Sequence, residues 1–418
     1  MELANDLADK LLSIAEELSF PRLVGTEGEK RAKQLIRERM RRLETTFDEE
    51  TVRWSTAPWK VVLPALCVAG LAGALFTLFL AFHFPQFTFT GLLASALAIG
   101  VPAWALLSGK AYWIGADDNP PSTNFVARVP PAGQASARVV FTAHYDTKSQ
   151  SVPAAARVLL IGLAGGSLLL FFAFTLVVQF SSVVPGWRGS LAWSQAGAGV
   201  AFFPLAVGAL GTASVRLGNN SPGALDNASG VAVCFGLLDF FKECPLEHTE
   251  VVVAFLTGEE LGLYGARAFV ERHADELAEV DSVNLNFDGV KAPLRYLARL
   301  GSVNVKSPDH RPFFDALLKA AEEADVSLQA VRIPFGAWTD SLPFVKAGFS
   351  STTIISLGGG GRVHRRGDVP ERLDRAALAL ATRLGVQFAR VVDQTWPTEE
   401  RDDGGEVKRR CARGPRTA

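Results

Sequence analysis

The chain combines two hydrophobic patterns, and the first consists of long apolar segments in its first half. Residues 61–82, 87–109, 158–180 and 191–213 contain no Asp, Glu, Lys or Arg. A helix that spans a bilayer needs about 20 apolar residues. Short links join the first two segments and the last two, so the pattern predicts four transmembrane helices in two hairpins.

The second pattern is a series of short apolar runs separated by amphipathic segments. The runs predict buried strands at Val139–Ala143, Val251–Leu256, Val283–Phe287 and Thr352–Leu357. Apolar residues at helical spacing predict two helices before residue 60 and further helices near residues 229–243, 261–277, 311–325 and 371–392. Strands that alternate with helices predict an α/β fold, here a three-layer α/β/α sandwich with a mixed, mainly parallel sheet.

The two patterns divide the chain into interleaved parts. A hairpin returns the chain to the side of the membrane from which it left, so the remaining segments lie on one side and can form one domain. We expect this domain at 1–60, 110–157 and 216–397, with hairpin 1 at 61–109, hairpin 2 at 158–215 and a disordered tail at 398–418.

The distribution of charged residues predicts which partners the domain lacks and on which side of the membrane it lies. The 42 Lys and Arg residues are balanced by 43 Asp and Glu residues, which argues against a nucleic-acid-binding protein. The N-terminus has no basic segment followed by an apolar core, so no cleavable signal peptide is expected. Basic residues flank the spans on the side of the domain, at Arg53, Lys60, Lys110, Lys148, Arg157 and Arg216, whereas Arg188 lies in the opposite link. The positive-inside rule then predicts a multi-pass membrane protein with its domain on the cytoplasmic face.

The candidate chemistry lies in histidine and acidic residues that follow predicted strands or precede a predicted helix. The four cysteines form no CxxC motif, so a thiolate metal site is not expected. The candidate residues are His144, Asp146, Asp226, Glu259, Glu260, Asp288 and His364. In α/β sheets, sites form at the carboxyl ends of the strands. Carboxylates that converge there without matching Lys or Arg would repel one another, and bound metal cations would remove that repulsion.

The motifs around these residues resemble those of the M28 family of co-catalytic zinc peptidases. They are His-Tyr-Asp at 144–146, Asp-Asn-Ala-Ser-Gly at 226–230, Glu-Glu-Leu-Gly-Leu-Tyr-Gly at 259–265, Asn-Phe-Asp at 286–288 and the late His364. The stretches Pro-Arg-Leu-Val-Gly-Thr-Glu-Gly from residue 21 and Thr-Asp-Ser-Leu-Pro-Phe from residue 339 resemble further family segments. Each motif alone is weak, but five in this order are a strong signal, and the resemblance as a whole spans nearly all of the soluble residues. The resemblance implies the aminopeptidase-like fold.

The resemblance also implies how the metal ions are held. His144 and Asp288 would bind one Zn²⁺. Glu260 and His364 would bind a second Zn²⁺, and Asp226 would bridge the two ions. Such a pair of ions activates a water molecule and polarises the scissile carbonyl group.

The remaining implied roles concern proton transfer and orientation. Glu259 would be the general base that takes a proton from the bridging water and passes it to the leaving amine. Asp146 would orient the imidazole of His144. The peptide bond between Asp226 and Asn227 is a candidate cis bond. The implied activity is that of an exopeptidase, an aminopeptidase that acts on a peptide substrate.

Two features depart from the family pattern. Val363 stands where the family commonly has Tyr, and Arg365 and Arg366 follow the late histidine, so a cationic oxyanion donor is an alternative. Hairpin 2 is inserted between His144 and Asp226, which predicts that the catalytic cleft lies near the membrane surface.

Other functions remain open at this stage. A carboxypeptidase or a cyclase on the same fold is possible, as is a receptor or scaffold without activity, although the intact Glu259 favours an enzyme. A transporter is disfavoured because the spans carry no charged residue. His83, His248, His273 and His310 lie in no motif and are predicted to be surface or link residues. The oligomeric state is left open.

Overall fold

The computed structural model of the protein describes residues 2–107, 114–116, 118–299, 310–332, 338–356 and 361–396. The chain divides into two compact units. The sheet unit is drawn from Met1–Arg53, Pro120–Ser149 and Asn219–Ala418, and the helical unit from Trp54–Asn119 and Gln150–Gly218. The predicted disordered tail at 398–418 lies outside the described residues.

The helices and strands have the following bounds. The helices are α1 (Glu2–Glu17), α2 (Glu27–Arg42), α3 (Leu63–His83), α4 (Thr88–Leu107), α5 (Ala154–Val183), α6 (Leu191–Ala213), α7 (Ser229–Glu243), α8 (Glu259–Gly262), α9 (Tyr264–Arg272), α10 (Ala274–Glu279), α11 (Arg311–Glu323), α12 (Ser341–Lys346) and α13 (Arg375–Thr395). The strands are β1 (Phe47–Val52), β2 (Ser122–Val129), β3 (Ala137–His144), β4 (Ser149–Gln150), β5 (Leu217–Gly218), β6 (Thr249–Leu256), β7 (Asp281–Asp288), β8 (Arg295–Arg299), β9 (Gln329–Arg332) and β10 (Ser350–Ile355).

Eight strands of the sheet unit form one mixed sheet in the order β1-β2-β6-β3-β7-β10-β8-β9. Strand β3 pairs in parallel with β6 and β7, and β7 pairs in parallel with β10. Strand β2 is antiparallel to both β1 and β6, and β8 is antiparallel to β10. The four central strands therefore all end at the same edge of the sheet.

Both faces of the central strands are buried, and alternate residues contribute to different cores. Val139 and Phe141 of β3 belong to a large core that includes residues of α1, α7, α11 and α13. Val140 of β3 belongs to a second core with Phe269 of α9 and Phe344 of α12. Successive side chains of a strand point to opposite faces, so helices cover both sides of the sheet. This arrangement confirms the predicted three-layer α/β/α fold class.

The helical unit consists of α3 to α6, which expose much of their apolar surface. Leu169 of α5, for example, is 72% exposed. Polar side chains join the helices to one another. The hydroxyl groups of Thr77 in α3 and Ser95 in α4 lie 3.2 Å apart, and the amide of Gln195 in α6 donates to the carbonyl of Ala81 at 2.7 Å. Apolar exteriors with a few internal hydrogen bonds are typical of helices packed in lipid.

Within the described residues, four helical segments are long and apolar enough to cross a membrane, judged by length and composition alone. They are Pro58–His83, Ala155–Val183, Pro185–Ala213 and Ala224–Glu243. The last of these contains α7, and 83% of its most apolar window is buried, so we assign it to the core of the sheet unit. The other three contain α3, α5 and α6 of the predicted hairpins. Helix α4 has 20 residues and no charged side chain.

The structure differs from the sequence predictions in two places. The single helix predicted near residues 261–277 is wrong, because this segment forms α8, α9 and α10. Leu263 ends α8 with a left-handed φ of 59°, a conformation that interrupts an α-helix. Strands β1, β2, β4, β5, β8 and β9 were not predicted. Strand β1 contains three acidic residues at a sheet edge and therefore lacks the apolar run that marked the central strands.

Candidate metal centre and active site

Three parallel strands bring candidate residues to one edge of the sheet. His144 is the last residue of β3, and it pairs in register with the last residue of β6. Asp288 is the last residue of β7. After β6, Gly258 adopts a left-handed φ of 68° and turns the chain into α8, which begins with Glu259 and Glu260. The carboxyl ends of neighbouring strands thus deliver four candidate residues to the same place.

The first group of ligand atoms surrounds the side chain of His144. Its Nε2 atom lies 3.2 Å from Oδ1 of Asp226 and 3.5 Å from Oδ1 of Asp288. His144 is 1% exposed, and this Nε2 has no hydrogen-bond partner within the described part of the chain. Buried polar atoms in proteins almost always have a partner. An orphaned imidazole nitrogen that faces two carboxylates is placed as a metal ligand would be.

The second group is centred on His364. Its Nε2 atom lies 3.0 Å from Oδ2 of Asp226 and 3.0 Å from Oε2 of Glu260. In each of the two groups, the ligand atoms lie within 4.8 Å of one another. Asp226 presents one carboxylate oxygen to each histidine. The structure therefore brings all five predicted ligands together, with Asp226 between the two groups.

The loop that carries Asp226 is held by neighbouring segments. The peptide bond between Asp226 and Asn227 is cis, as the family resemblance implied. The backbone N–H of Asp226 donates to Oδ2 of Asp368 at 3.1 Å, and the N–H of Leu225 donates to Oδ1 at 2.8 Å. The amide of Asn227 donates to the carbonyl of Phe287 at 2.7 Å, near the end of β7. These bonds fix the loop against both the sheet and the segment after His364.

Asp146 lies on the opposite side of the His144 ring from the ligand groups. Its Oδ1 atom is 3.6 Å from Nδ1 of His144, and its backbone carbonyl is 3.2 Å from the same nitrogen. The carboxylate also accepts the backbone N–H groups of Glu259 at 3.2 Å and of Glu260 at 3.3 Å. Asp146 thus ties β3 to the first turn of α8, and its position agrees with the predicted orienting role.

Glu259 lies beside the ligand groups without being part of either. Its Oε2 atom is 4.0 Å from Nε2 of His144, and its side chain is 9% exposed. Burial raises the pKa of Glu259 well above its usual range, and the neighbouring acids Glu260 and Asp288 add to this effect. A carboxyl group with a raised pKa can accept a proton and hold it during a reaction.

A further acid, Asp340, shows how much negative charge is gathered here. It is fully buried, and neither of its carboxylate oxygens has a hydrogen-bond partner among the described residues. Burial raises the pKa of Asp340 to about 8. Burial also raises the pKa of Asp288. A bound metal cation would stabilise the ionised forms of acids that are buried together in this way.

The donor set fits zinc. Imidazole nitrogen and carboxylate oxygen are both ligands of Zn²⁺, and a catalytic ion keeps three protein ligands and an open position. Each group offers three residues, of which Asp226 is shared. The residues that would hold two zinc ions are therefore those predicted from the sequence, and their role as ligands stays a prediction.

The structure also shows a cation that the sequence did not place at the site. Arg22 is fully buried, and its guanidinium group donates to the carbonyl oxygens of Tyr145 at 2.5 Å, Pro222 at 2.6 Å and Gly223 at 2.9 Å. Burial lowers the pKa of Arg22 to about 10. The side chain thereby connects the segment after α1 to the loops after β3 and before α7, which carry candidate residues.

Asp368 and Lys148 are two more residues whose part in the site was missed. Asp368 lies four residues after His364. This closeness to a candidate ligand was the signal that could have indicated its place in the site. From the sequence, Lys148 is predicted only to be one of the basic residues that flank a span. Its Nζ atom lies 2.7 Å from Oε2 of Glu260. The signal that could have indicated its place in the site is its position in the sequence, two residues after Asp146 of the His-Tyr-Asp motif.

The part of the chain that carries most of these residues is similar to a known protein family. Residues 209–389 match the model of Peptidase family M28, and five of the seven candidate residues lie in that range. Aminopeptidase YwaD of Bacillus subtilis (strain 168) is 29% identical over 135 residues, which are 32% of this chain and 29% of that protein. The match thus covers less than a third of the relative's length. Residues 209–389 are therefore similar to the M28 peptidase family.

Solved structures share the fold. BSAP, a zinc aminopeptidase from Bacillus subtilis, has a TM-score of 0.51 and 15% identity, over 93% of this chain and 95% of that chain. The LapA aminopeptidase of Legionella pneumophila has a TM-score of 0.51 and 11% identity, over 94% and 74%. A glutaminyl cyclase from an Acidobacteriales bacterium has a TM-score of 0.51 and 15% identity, over 94% of both chains. At these identities the likeness shows an aminopeptidase-like fold.

Proposed function

We propose that the protein is a membrane-anchored exopeptidase that removes N-terminal residues from peptides with the help of two zinc ions. The observation that carries this proposal is the pair of three-residue ligand groups that share Asp226. Glu259 lies beside them, with Oε2 4.0 Å from His144 and outside both groups. The M28 match of residues 209–389 supports a peptidase over a receptor or scaffold.

The proposed mechanism gives each side chain a separate task. Bound zinc would supply Lewis-acid activation of a water molecule and of the scissile carbonyl group. The carboxylate of Glu259 accepts the proton of the attacking water and then donates it to the leaving amine. Asp146 holds the ring of His144, and Asp368 holds the backbone of Asp226.

The direction of cleavage rests on the relatives. YwaD, BSAP and LapA are all named aminopeptidases. The likeness to a glutaminyl cyclase favours one specific alternative, cyclisation of an N-terminal glutamine with loss of ammonia. Both reactions act on the free N-terminus of a peptide, so a substrate panel must include N-terminal glutamine.

We also propose that α3, α4, α5 and α6 span a membrane and that the sheet unit faces the cytoplasm. Support for the spans comes from the length and hydropathy of the segments that contain α3, α5 and α6 and from the exposed apolar side chains of the helical unit. Support for the orientation comes from the basic residues that flank the spans.

The variant Glu259→Ala tests the proposed mechanism. The full-length protein is purified in detergent, and zinc content and turnover are measured for wild type, Glu259→Ala and the control Glu271→Ala on the exposed face of α9. We expect two zinc ions in all three proteins. Turnover of peptides with a free N-terminus should fall about 10²- to 10⁴-fold in Glu259→Ala alone, because the general base is lost.

Several results would redirect the assignment. Activity confined to N-blocked peptides would indicate a carboxypeptidase or an endopeptidase. Release of ammonia from N-terminal glutamine without peptide hydrolysis would indicate a cyclase. Wild-type protein without zinc or turnover would contradict the proposal and favour a receptor or scaffold.

A further inference from the structure

The ammonium group of Lys148 lies against a candidate metal ligand. Its Nζ atom is 2.7 Å from Oε2 of Glu260 and donates to the carbonyl oxygen of the same residue at 3.1 Å. The backbone N–H of Lys148 donates to Oε1 of Glu260 at 3.2 Å. Lys148 is 8% exposed. Three contacts with one residue therefore hold this positive charge in a buried position.

The same oxygen of Glu260 faces the place predicted for a metal ion. Oε2 lies 3.0 Å from Nε2 of His364, and both atoms belong to the second ligand group. A metal ion bound by this group would share the oxygen with the ammonium group of Lys148. Two positive charges repel strongly in a buried site, because its surroundings screen them weakly.

The first ligand group has a different electrostatic setting. Asp288 pairs with His144 at 3.5 Å, and no lysine or arginine of the described ranges pairs with Asp288. Asp226 faces both groups, with one oxygen 3.2 Å from His144 and the other 3.0 Å from His364. Each group therefore has one carboxylate of its own, and Lys148 neutralises the carboxylate of the second group.

We propose that Lys148 weakens cation binding by Asp226, Glu260 and His364, so that the two zinc sites of this protein differ in affinity. This inference rests on the proposed function, because it requires both ligand groups to bind zinc. The group of His144 and Asp288 binds its ion tightly. The group next to Lys148 binds its ion more weakly and exchanges it more readily.

The electrostatics of Glu260 agree with this inference. Its carboxylate oxygen Oε2 lies 2.7 Å from the ammonium nitrogen of Lys148, within ion-pair distance. The carboxylate is thus already stabilised as an anion by a cation from the protein. A zinc ion gains less from a carboxylate whose charge is neutralised in this way.

Zinc affinities of the metal-free, full-length protein in detergent test the inference. They are measured by competition with a chromophoric chelator, and zinc per chain is determined after gel filtration. Lys148→Met removes the charge and retains an apolar side chain, whereas Lys148→Arg retains a charge. Lys319→Met is the matched control, because it removes the lysine of another Lys–Glu pair, in which Lys319 lies 3.8 Å from Glu323 on α11.

We expect wild type to show one tight and one weaker affinity. Lys148→Met should tighten the weaker affinity by about 10-fold or more, since residues that contact metal ligands typically change affinity by about 10- to 100-fold. The tight affinity should not change. Lys148→Arg and Lys319→Met should both resemble wild type.

Two equal affinities in wild type would overturn the inference, as would an unchanged or lowered weaker affinity in Lys148→Met. If circular dichroism shows that Lys148→Met does not fold, Lys148→Gln removes the same charge and decides the question by the same criterion. Wild-type protein that binds no zinc would overturn the proposed function as well. Two equal zinc sites together with peptide hydrolysis would overturn this inference alone.

Discussion

Asp368 illustrates how a residue outside the ligand groups can position a candidate ligand. Its two carboxylate oxygens accept the backbone N–H groups of Leu225 and Asp226, and it is 1% exposed. Burial raises the pKa of Asp368 to about 6. The two hydrogen bonds thus hold the loop of Asp226 through the carboxyl group of Asp368. Burial makes this carboxyl group harder to ionise.

Asp368→Asn should lower both stability and zinc affinity. An amide has one acceptor oxygen, so one buried N–H group loses its partner, at a cost of about 1–3 kcal/mol in the free energy of unfolding. Displacement of Asp226 should weaken zinc binding by about 10- to 100-fold. Thermal unfolding and chelator competition measure the two effects.

Asp393→Asn is the matched control for Asp368. Asp393 also accepts two backbone N–H groups, those of Glu247 at 3.2 Å and His248 at 2.8 Å, but it is only half-buried and belongs to α13, outside both ligand groups. This variant should leave zinc affinity unchanged. Equal zinc affinities in wild type and Asp368→Asn would show that Asp368 does not position Asp226.

The sequence predicted those site residues whose chemistry is carried by a local motif. Glu259 and Glu260 are adjacent, and His144 and Asp146 are two residues apart, so their spacing was visible in the chain. Arg22 could not be assigned in this way. Its partners Pro222 and Gly223 are 200 and 201 residues away, and only folding brings the carbonyl groups to the guanidinium.

At the scale of elements, a histidine joins the edge of the sheet to the helices that cover it. Nε2 of His273, between α9 and α10, lies 2.6 Å from Oε1 of Glu50 in β1, and Nδ1 lies 2.7 Å from Oε2 of Glu276 in α10. The side chain is 11% exposed. His273 thus lies in the link between α9 and α10. Its contact with Glu50 was not predicted, because strand β1 was not predicted.

These contacts predict that stability depends on pH. Burial lowers the pKa of His273, but the two glutamates outweigh burial and raise it above its usual value. A raised pKa in the folded state means that the stabilisation is fully present below about pH 6.5, the value for the unfolded chain. It is lost as the pH rises through the folded pKa.

His273→Gln should remove this part of the pH dependence. The midpoint of thermal unfolding is measured from about pH 6 to about pH 8, which brackets the unfolded pKa of histidine and the range above it. The wild-type midpoint should fall relative to that of His273→Gln as the pH rises. His248→Gln, at an exposed position, is the control. Parallel curves for wild type and His273→Gln would contradict the assignment.

At the scale of the whole molecule, the two units are interleaved along the chain. The sheet unit is interrupted after Arg53 and after Ser149, and it resumes at Pro120 and at Asn219. Each interruption contains two apolar helices. This organisation is the one expected if a soluble domain carries two membrane hairpins as insertions.

Labelling with a membrane-impermeant maleimide tests both the spans and their orientation. Cys244 of the sheet unit is exposed. Gly189 lies in the turn between α5 and α6, where a Cβ atom would meet nothing within 4 Å. In a background without Cys67 and Cys411, we expect Cys244 to be protected in intact cells. With Cys244 also replaced by Ala, Gly189→Cys should be labelled.

Each pattern of labelling has a distinct meaning. Labelling of Cys244 with protection of Gly189→Cys would reverse the orientation. The same result for both positions in intact cells would contradict a membrane between them. Labelling of both positions after detergent treatment is the control for reactivity.

The sequence by itself determined the features that depend on local composition and spacing. Apolar runs such as Val251–Leu256 mark strands wherever both faces are buried, and uncharged segments as long as 61–82 mark candidate spans. The order of the five motifs was sufficient to indicate the candidate ligands. These signals are local because burial of a strand or helix selects apolar residues along the element itself.

The tertiary structure decided which residues distant in the sequence contact those candidate ligands. The ammonium group of Lys148 meets Glu260 across 112 residues, and Asp368 meets the backbone of Asp226 across 142 residues. Such contacts leave no periodic pattern, because one charged side chain or one carboxylate is enough to make them. They depend on how strands and loops converge at the edge of the sheet, and only the folded chain specifies that convergence.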